Sequence, residues 1–122
     1  MTTFSELVPV FRILDVAKAL EFYRDYLGMT VAWEHRFEPT LPLYMQVERD
    51  GLVLHLSEHY GDALPGSTIR VKVKGLAAFH AELKGKQYGY LRPGLQRDGD
   101  DLEVNLLDPF GNKLRLYEPL KD

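Results

Sequence analysis

The sequence predicts an α+β chain made of two copies of a β-α-β-β-β module. Three observations carry this expectation. Short runs of alternating apolar and polar residues mark strands, two stretches with three- and four-residue apolar spacing mark helices, and the order of elements restarts half-way along the chain.

The elements follow in order. "VPVFRIL" is a short β-branched and apolar run, and Asp15 stands behind it where a helix N-cap belongs. From Val16 the apolar residues Val16, Ala19, Leu20, Phe22, Tyr23, Tyr26 and Leu27 recur at helical spacing, and Gly28 follows as a C-terminal stop. Three strand-like runs come next, "MTVAWEHRF", "LYMQVE" and "LVLHLSE", separated by the Pro-containing "EPTLP" and by the hairpin signal "RDG". After the loop "HYGDALPGS" the pattern begins again: "TIRVKVK" leads into the helical "GLAAFHAELKGK". "LEVNLLD" and "KLRLYEP" then flank the tight turn "DPFGN". The intervening "GYLRPGLQRDGDDLEV" reads as a loop before the seventh strand.

Sliding the chain against itself by 60 tests the repeat. "GLVLHLSE" from Gly51 then lies on "GNKLRLYE" from Gly111, pairing Leu54 with Leu114, Leu56 with Leu116 and Glu58 with Glu118. The same shift puts Val71 under Phe11, Val73 under Ile13, and Leu76, Ala77 and Leu83 under Val16, Ala17 and Tyr23. A duplicated module is expected, with module one at about residues 5–60 and module two at about 66–120 of a single domain.

Composition narrows the function. The chain has 122 residues and 45% hydrophobic content, enough for one core and too little for two independent ones. It holds no cysteine, which removes disulfides, thiolate metal sites and cysteine nucleophiles. A net charge of −3 and a pI near 5.8 argue against nucleic acid as a partner. No run approaches the roughly 18 apolar residues of a membrane span, and "MTTFSELVPV" lacks the pattern of a signal peptide, so the expectation is a cytoplasmic chain with no membrane partner. A Gly-rich phosphate loop and a G-x-S-x-G nucleophile elbow are also absent from the sequence.

Two motifs carry a family resemblance over nearly the full length. "PVFRILDVAKALEFYRDYLGM", with D-x6-F-Y followed by L-G, and the closing "LLDPFGNKLRLYE" resemble the vicinal oxygen chelate superfamily, which includes glyoxalase I, extradiol dioxygenases and bleomycin resistance proteins. The resemblance implies that each module curls its mixed sheet into half of a cup. It also implies a divalent metal in the enzymes, held by residues of the first and last strands of each module. Here the corresponding positions are Val8, seven residues before Asp15, and Arg115, three after the asparagine of "GN"; the repeat offset adds Thr68 and His55. Valine offers no lone pair, an arginine cation none that is usable, and one imidazole with a hydroxyl falls short of a stable site. No metal and no cofactor is expected.

The metal-free members that this chain most resembles are the bleomycin resistance proteins, through the opening "VPVFRILDVAKALEFYRDYLG" and the compact length. That resemblance implies a homodimer that sequesters a bleomycin-like glycopeptide unchanged, in grooves between the subunits, and confers antibiotic resistance. Such a ligand asks for aromatic faces, polar contacts and carboxylates. Trp33, His35 and Phe37 share one parity and project from one face if their strand is regular, and Tyr44 lies on the next strand. These four, with His55 as a polar wall residue, His59 at the rim and Arg115 as a donor, form the candidate ligand-binding set. Packing in a core or dimer contact explains Trp33 equally well and Phe37 better, and solvent exposure is the simpler account of His59. Arg115 has a structural alternative in pairing with Glu103 or Glu118. Asp98, Asp100 and Asp101 either meet a cationic tail or form a solvated surface. Two other readings stay open: a lyase, isomerase or oxygenase using His55 with an acid such as Glu103, and a binding protein for another small molecule.

Overall fold

In a computed structural model that describes residues 1–121, the chain forms two four-stranded sheets and two helices. β1 (Val10–Arg12), β2 (Thr30–His35), β3 (Tyr44–Arg49) and β4 (Leu52–Ser57) make sheet one, ordered β1-β4-β3-β2. β5 (Thr68–Lys72), β6 (Gln96–Asp98), β7 (Asp101–Leu107) and β8 (Lys113–Pro119) make sheet two, ordered β5-β8-β7-β6. In each sheet the first strand runs parallel to the last and the other pairs are antiparallel. The repeat extends to register: Val10 pairs with His55 and Arg70 with Arg115, both members shifted by 60. An α+β fold of duplicated β-α-β-β-β modules is therefore observed directly.

Helix α1 (Val16–Leu20) begins where Asp15 accepts the backbone N–H of Lys18 at 2.9 Å. The expected continuous α-helix widens into a π-helical stretch over Glu21–Tyr26, and Gly28 stops it at φ +74°. Phe22, Tyr23, Tyr26 and Leu27 are all buried on this stretch. A π-helix has a wider turn than the three- and four-residue apolar spacing of an α-helix, but over six residues the two patterns do not separate. Helix α2 (Leu76–Lys84) starts at Gly75, which has no side chain to cap it. The Glu118 carboxylate, from β8, accepts the backbone N–H groups of Gly75 and Leu76 instead. The segment expected to be a loop before the seventh strand contains β6, three exposed residues paired with β7 through Gln96↔Glu103. With no buried side chain, β6 has no hydrophobic alternation to announce it.

One core lies between the modules. It takes Phe11, Met45, Val47, Leu54 and Leu56 from sheet one and Val104, Leu106, Leu114 and Leu116 from sheet two. A polar seam joins the halves inside it. The Tyr23 hydroxyl donates to Asp108 at 2.6 Å, and Asn112 donates to Asp108 and to the Arg12 carbonyl, each at 2.9 Å. The Asn112 side-chain oxygen accepts from the backbone of Gly66 and Ser67. Asp108 and Asn112 are the first and last residues of the "DPFGN" turn, so that motif ties the second module to β1 of the first. Because both sheets turn their apolar sides to this core, their opposite faces look outward.

Candidate functional site

The outward face of sheet one carries an aromatic cluster. Register rows across the sheet place Trp33, Gln46, His55 and Val10 side by side, with His35, Tyr44, Ser57 and Arg12 in the next row. The Trp33 and Tyr44 rings are nearly parallel, 9° apart with centroids at 6.0 Å. His55 meets both edge-on, at 5.2 Å from Trp33 and 5.1 Å from Tyr44. Such a group offers flat apolar area and a polarised edge. The indole is 42% exposed, a large apolar surface left to solvent.

A β-bulge aims Trp33. Val31 pairs with Val47 on the core side, but the register slips before Trp33, which pairs with Gln46 on the outward side. In a regular strand Trp33 would share the core side with Val31; the extra residue, Ala32, reverses the alternation. Trp33 and His35 share a face as their common parity leads one to expect, since the strand is regular from Trp33 to His35; the bulge before Trp33 decides that this face is the outward one. The expectation needs correction for Phe37. Phe37 lies beyond the end of β2, is 75% exposed, and touches the edge of His35 at 4.9 Å.

A directed chain of hydrogen bonds fixes the cluster. The Gln46 amide nitrogen donates to Glu48 at 3.2 Å, which leaves the amide oxygen facing His55 Nε2 at 3.0 Å. His55 Nε2 is then the donor in that contact. In the neutral ring, Nδ1 accepts the Tyr44 hydroxyl at 2.7 Å. Both nitrogens of His55 are committed within the protein. Burial, and secondarily the nearby Asp62 charge, raises the Tyr44 pKa, keeping the hydroxyl protonated as the donor. His59 sits just past β4, its ring 6.5 Å from that of Tyr44 and its backbone N–H donating to Ser57 Oγ at 3.0 Å.

Arg115 lies elsewhere. It is exposed on the outward face of sheet two, in register with Arg70 and Asn105, so one chain does not bring it to the aromatic cluster. The structural alternative of pairing with Glu118 fails, because that carboxylate caps α2 on the core side. Of the three acidic loop residues, Asp100 and Asp101 face cations of the chain itself, Lys121 and Arg70, each at 3.9 Å.

The metal that the superfamily's enzymes hold does not fit these residues. Of the corresponding positions, Val8 and Arg115 supply no ligand, and Thr68 is on a different sheet from His55. Among the described residues no group of three histidines, aspartates or glutamates is placed to hold an ion. The acid nearest His55 along the hydrogen-bond chain is Glu48, reached through Gln46; Glu103 belongs to sheet two.

Three recesses lie away from this face. One of about 760 Å³ sits between α2 and residues 86–94, one of about 610 Å³ opens between Leu52 and sheet two, and a shallower one of about 390 Å³ follows β5. None is lined by Trp33, Tyr44 or His55. We place the candidate site on the aromatic face because it combines exposed rings with fixed polar groups.

The model for glyoxalase superfamily proteins matches residues 1–122. The chain belongs to the glyoxalase superfamily. Among solved structures this superfamily member is similar to TnmS3, an antibiotic binding protein from Streptomyces sp. CB03234, at 19% identity and TM-score 0.76 over 98% of this chain and 99% of that one. It is also similar to the bleomycin-binding protein of bleomycin-producing Streptomyces verticillus in complex with copper(II)-bleomycin, at 26% identity and TM-score 0.66 over 95% and 97%. A bleomycin resistance determinant encoded on the transposon Tn5 matches at 22% identity and TM-score 0.67 over 95% and 98%. No curated protein matches by sequence. No helix among the described residues is long and apolar enough to cross a membrane.

One residue of the site escaped the sequence reading. Arg12, in the same row as Tyr44, projects outward between the buried Phe11 and Ile13. An alternation of buried and outward residues along "VFRI" was the available signal.

Proposed function

We propose that the chain is a non-catalytic binding protein that sequesters a planar aromatic small molecule of the antibiotic class, with bleomycin-type glycopeptides as the reference ligand. The observation that carries this reading is the exposed Trp33–Tyr44–His55 cluster, whose histidine has both nitrogens engaged within the protein. A general base needs a free lone pair, and a ligand platform needs fixed rings; the cluster meets the second requirement. In this reading Trp33 and Tyr44 stack on the ligand, His55 holds them in place, and His35, Phe37 and His59 form the rim.

The two outward faces of one chain do not face each other, so a closed cup needs two copies. We propose a cytoplasmic homodimer in which sheet one of each copy faces sheet two of the other, bringing Arg115 opposite the aromatic cluster. Resistance then follows from mass action: a drug held unchanged is withdrawn from its target.

The test is a titration of the fluorescence of Trp33, the only tryptophan, with metal-free and copper-loaded bleomycin, with calorimetry for stoichiometry. Saturable binding at micromolar or tighter affinity, one drug per subunit and recovered unchanged, is the expected result. Turnover of the drug, or no response to either form, rejects bleomycin sequestration.

A further inference from the structure

On the outward face of sheet one the guanidinium of Arg12 stands without a partner. It makes no hydrogen bond and no ion pair with any described residue, and its Nη1 is buried and unsatisfied. Its one marked contact is with the ring of Tyr60, 5.8 Å from Cζ to centroid. A buried donor left unpaired is rare in a folded protein, and a guanidinium is selective for carboxylate-like oxygen acceptors.

The register fixes where this cation lies. Arg12 pairs with Ser57, which pairs with Tyr44, so Arg12 is two strands, about 10 Å, from Tyr44 in the row beside His55. That span suits a ligand whose ring covers the Trp33–Tyr44 pair and whose polar end reaches over β4. Each of the nearby carboxylates takes its hydrogen bond from a neutral donor and keeps its charge: Glu48 accepts from Gln46, Asp62 from the Ser57 hydroxyl at 2.6 Å, and Glu58 from the Leu43 N–H at 2.9 Å. None of them pairs with Arg12, whose guanidinium is left without an anion among the described residues.

We propose that Arg12 determines the class of ligand: the face takes a planar aromatic acid, with its ring on Trp33 and Tyr44 and its anionic oxygens on the Arg12 guanidinium. The proposal rests on the ligand-binding reading above and narrows it.

The experiment uses three probes of one ring system: 2-naphthoate, the neutral 2-naphthamide and the cationic 2-naphthylmethylammonium. Each is titrated by Trp33 fluorescence into the full chain, Arg12→Met and Arg12→Lys, with melting temperatures recorded for all three proteins. The full chain is expected to bind naphthoate at least tenfold tighter than naphthamide, and the ammonium weakest. Arg12→Met removes the preference for the acid and leaves the amide affinity unchanged, and Arg12→Lys restores part of it. Equal affinity for acid and amide in the full chain overturns the proposal while the aromatic face stands; that result is also expected if a carboxylate of a second copy occupies Arg12. An acid preference that survives in Arg12→Met overturns it as well. If no probe perturbs Trp33, the ligand-binding reading fails and takes the proposal with it. If Arg12→Met melts early, the comparison rests on Arg12→Lys, where an unchanged ratio of acid to amide affinity, with the planar guanidinium replaced by an ammonium, overturns recognition of the acid by the Arg12 guanidinium.

Discussion

Replacing Tyr23 by Phe tests whether the polar seam holds the two modules together. Tyr23 is fully buried, and its hydroxyl donates to Asp108 at 2.6 Å. The substitution removes one oxygen and leaves the ring in place. Asp108 is not orphaned by it, since Asn112 still donates to one carboxylate oxygen and the backbone N–H groups of Phe110 and Asn112, each at 2.8 Å, to the other. The loss is therefore the net value of one buried, charge-assisted hydrogen bond, about 2 kcal/mol, with little cavity contribution. At about 2.1 cal/mol/K of unfolding entropy per residue, a chain of 122 residues has about 0.26 kcal/mol/K, so the melting temperature falls by about 8 °C. Urea unfolding followed by far-ultraviolet circular dichroism reads the same quantity, with the slope m unchanged if the transition stays two-state. A destabilisation under about 0.5 kcal/mol refutes the seam's role. A lowered m-value, with the modules unfolding separately, refutes the picture of one shared core.

Three further outcomes are expected. His55→Ala frees the Tyr44 hydroxyl and removes the edge contact to Trp33, so ligand affinity falls by about tenfold, equal to about 1.4 kcal/mol, while the melting temperature changes little; calorimetric titration beside thermal unfolding checks this. Burial pushes the Tyr88 pKa up to about 12, with the charges of Glu21 and Asp108 adding to it, so the folded state resists ionisation that the unfolded chain permits. Stability is then fully present below about pH 10 and declines from there towards pH 12, and Tyr88→Phe flattens part of that decline in an alkaline melting series. Glu118 behaves oppositely: the backbone N–H groups of Gly75 and Leu76 hold its pKa below the ordinary value of 4.5. Its contribution is present above that value and lost as pH falls through the lowered one, so Glu118→Gln yields a protein whose stability changes less on acidification, as read by α2 signals in hydrogen exchange.

Much of the fold was legible because duplication leaves a numerical trace. The offset of 60 found between "GLVLHLSE" and "GNKLRLYE" reappears as the register offset between Val10↔His55 and Arg70↔Arg115. Strands and helices with a buried side were found because burial imposes a period. β6 was missed because it buries nothing, and the π-helical stretch because six residues are too few for its wider period to stand out from the α-helical one. The candidate site was legible only as a set of residue types. Trp33, Tyr44 and His55 do meet, and the shared face of Trp33 and His35 was legible as parity, whereas the bulge that turns that face outward left no mark in the residue pattern. Arg115 shares its repeat position with His55 but lies on the other sheet, where no pattern in a single chain reveals what it faces. The unpaired state of Arg12 depends on the absence of neighbours, which a sequence does not record.

The bulge at Ala32 has an evolutionary consequence. β2 is the edge strand of sheet one, where gaining or losing a residue disturbs only one neighbouring strand. Which side chains of β2 face outward is therefore set by chain length there, independently of the letters themselves. A single-codon insertion or deletion would exchange the Trp33 and His35 series for the Ala32 and Glu34 series without touching Met45, Val47, Leu54 or Leu56 beneath. A scaffold of this kind can remodel its outward face in one genetic step while its core keeps every residue.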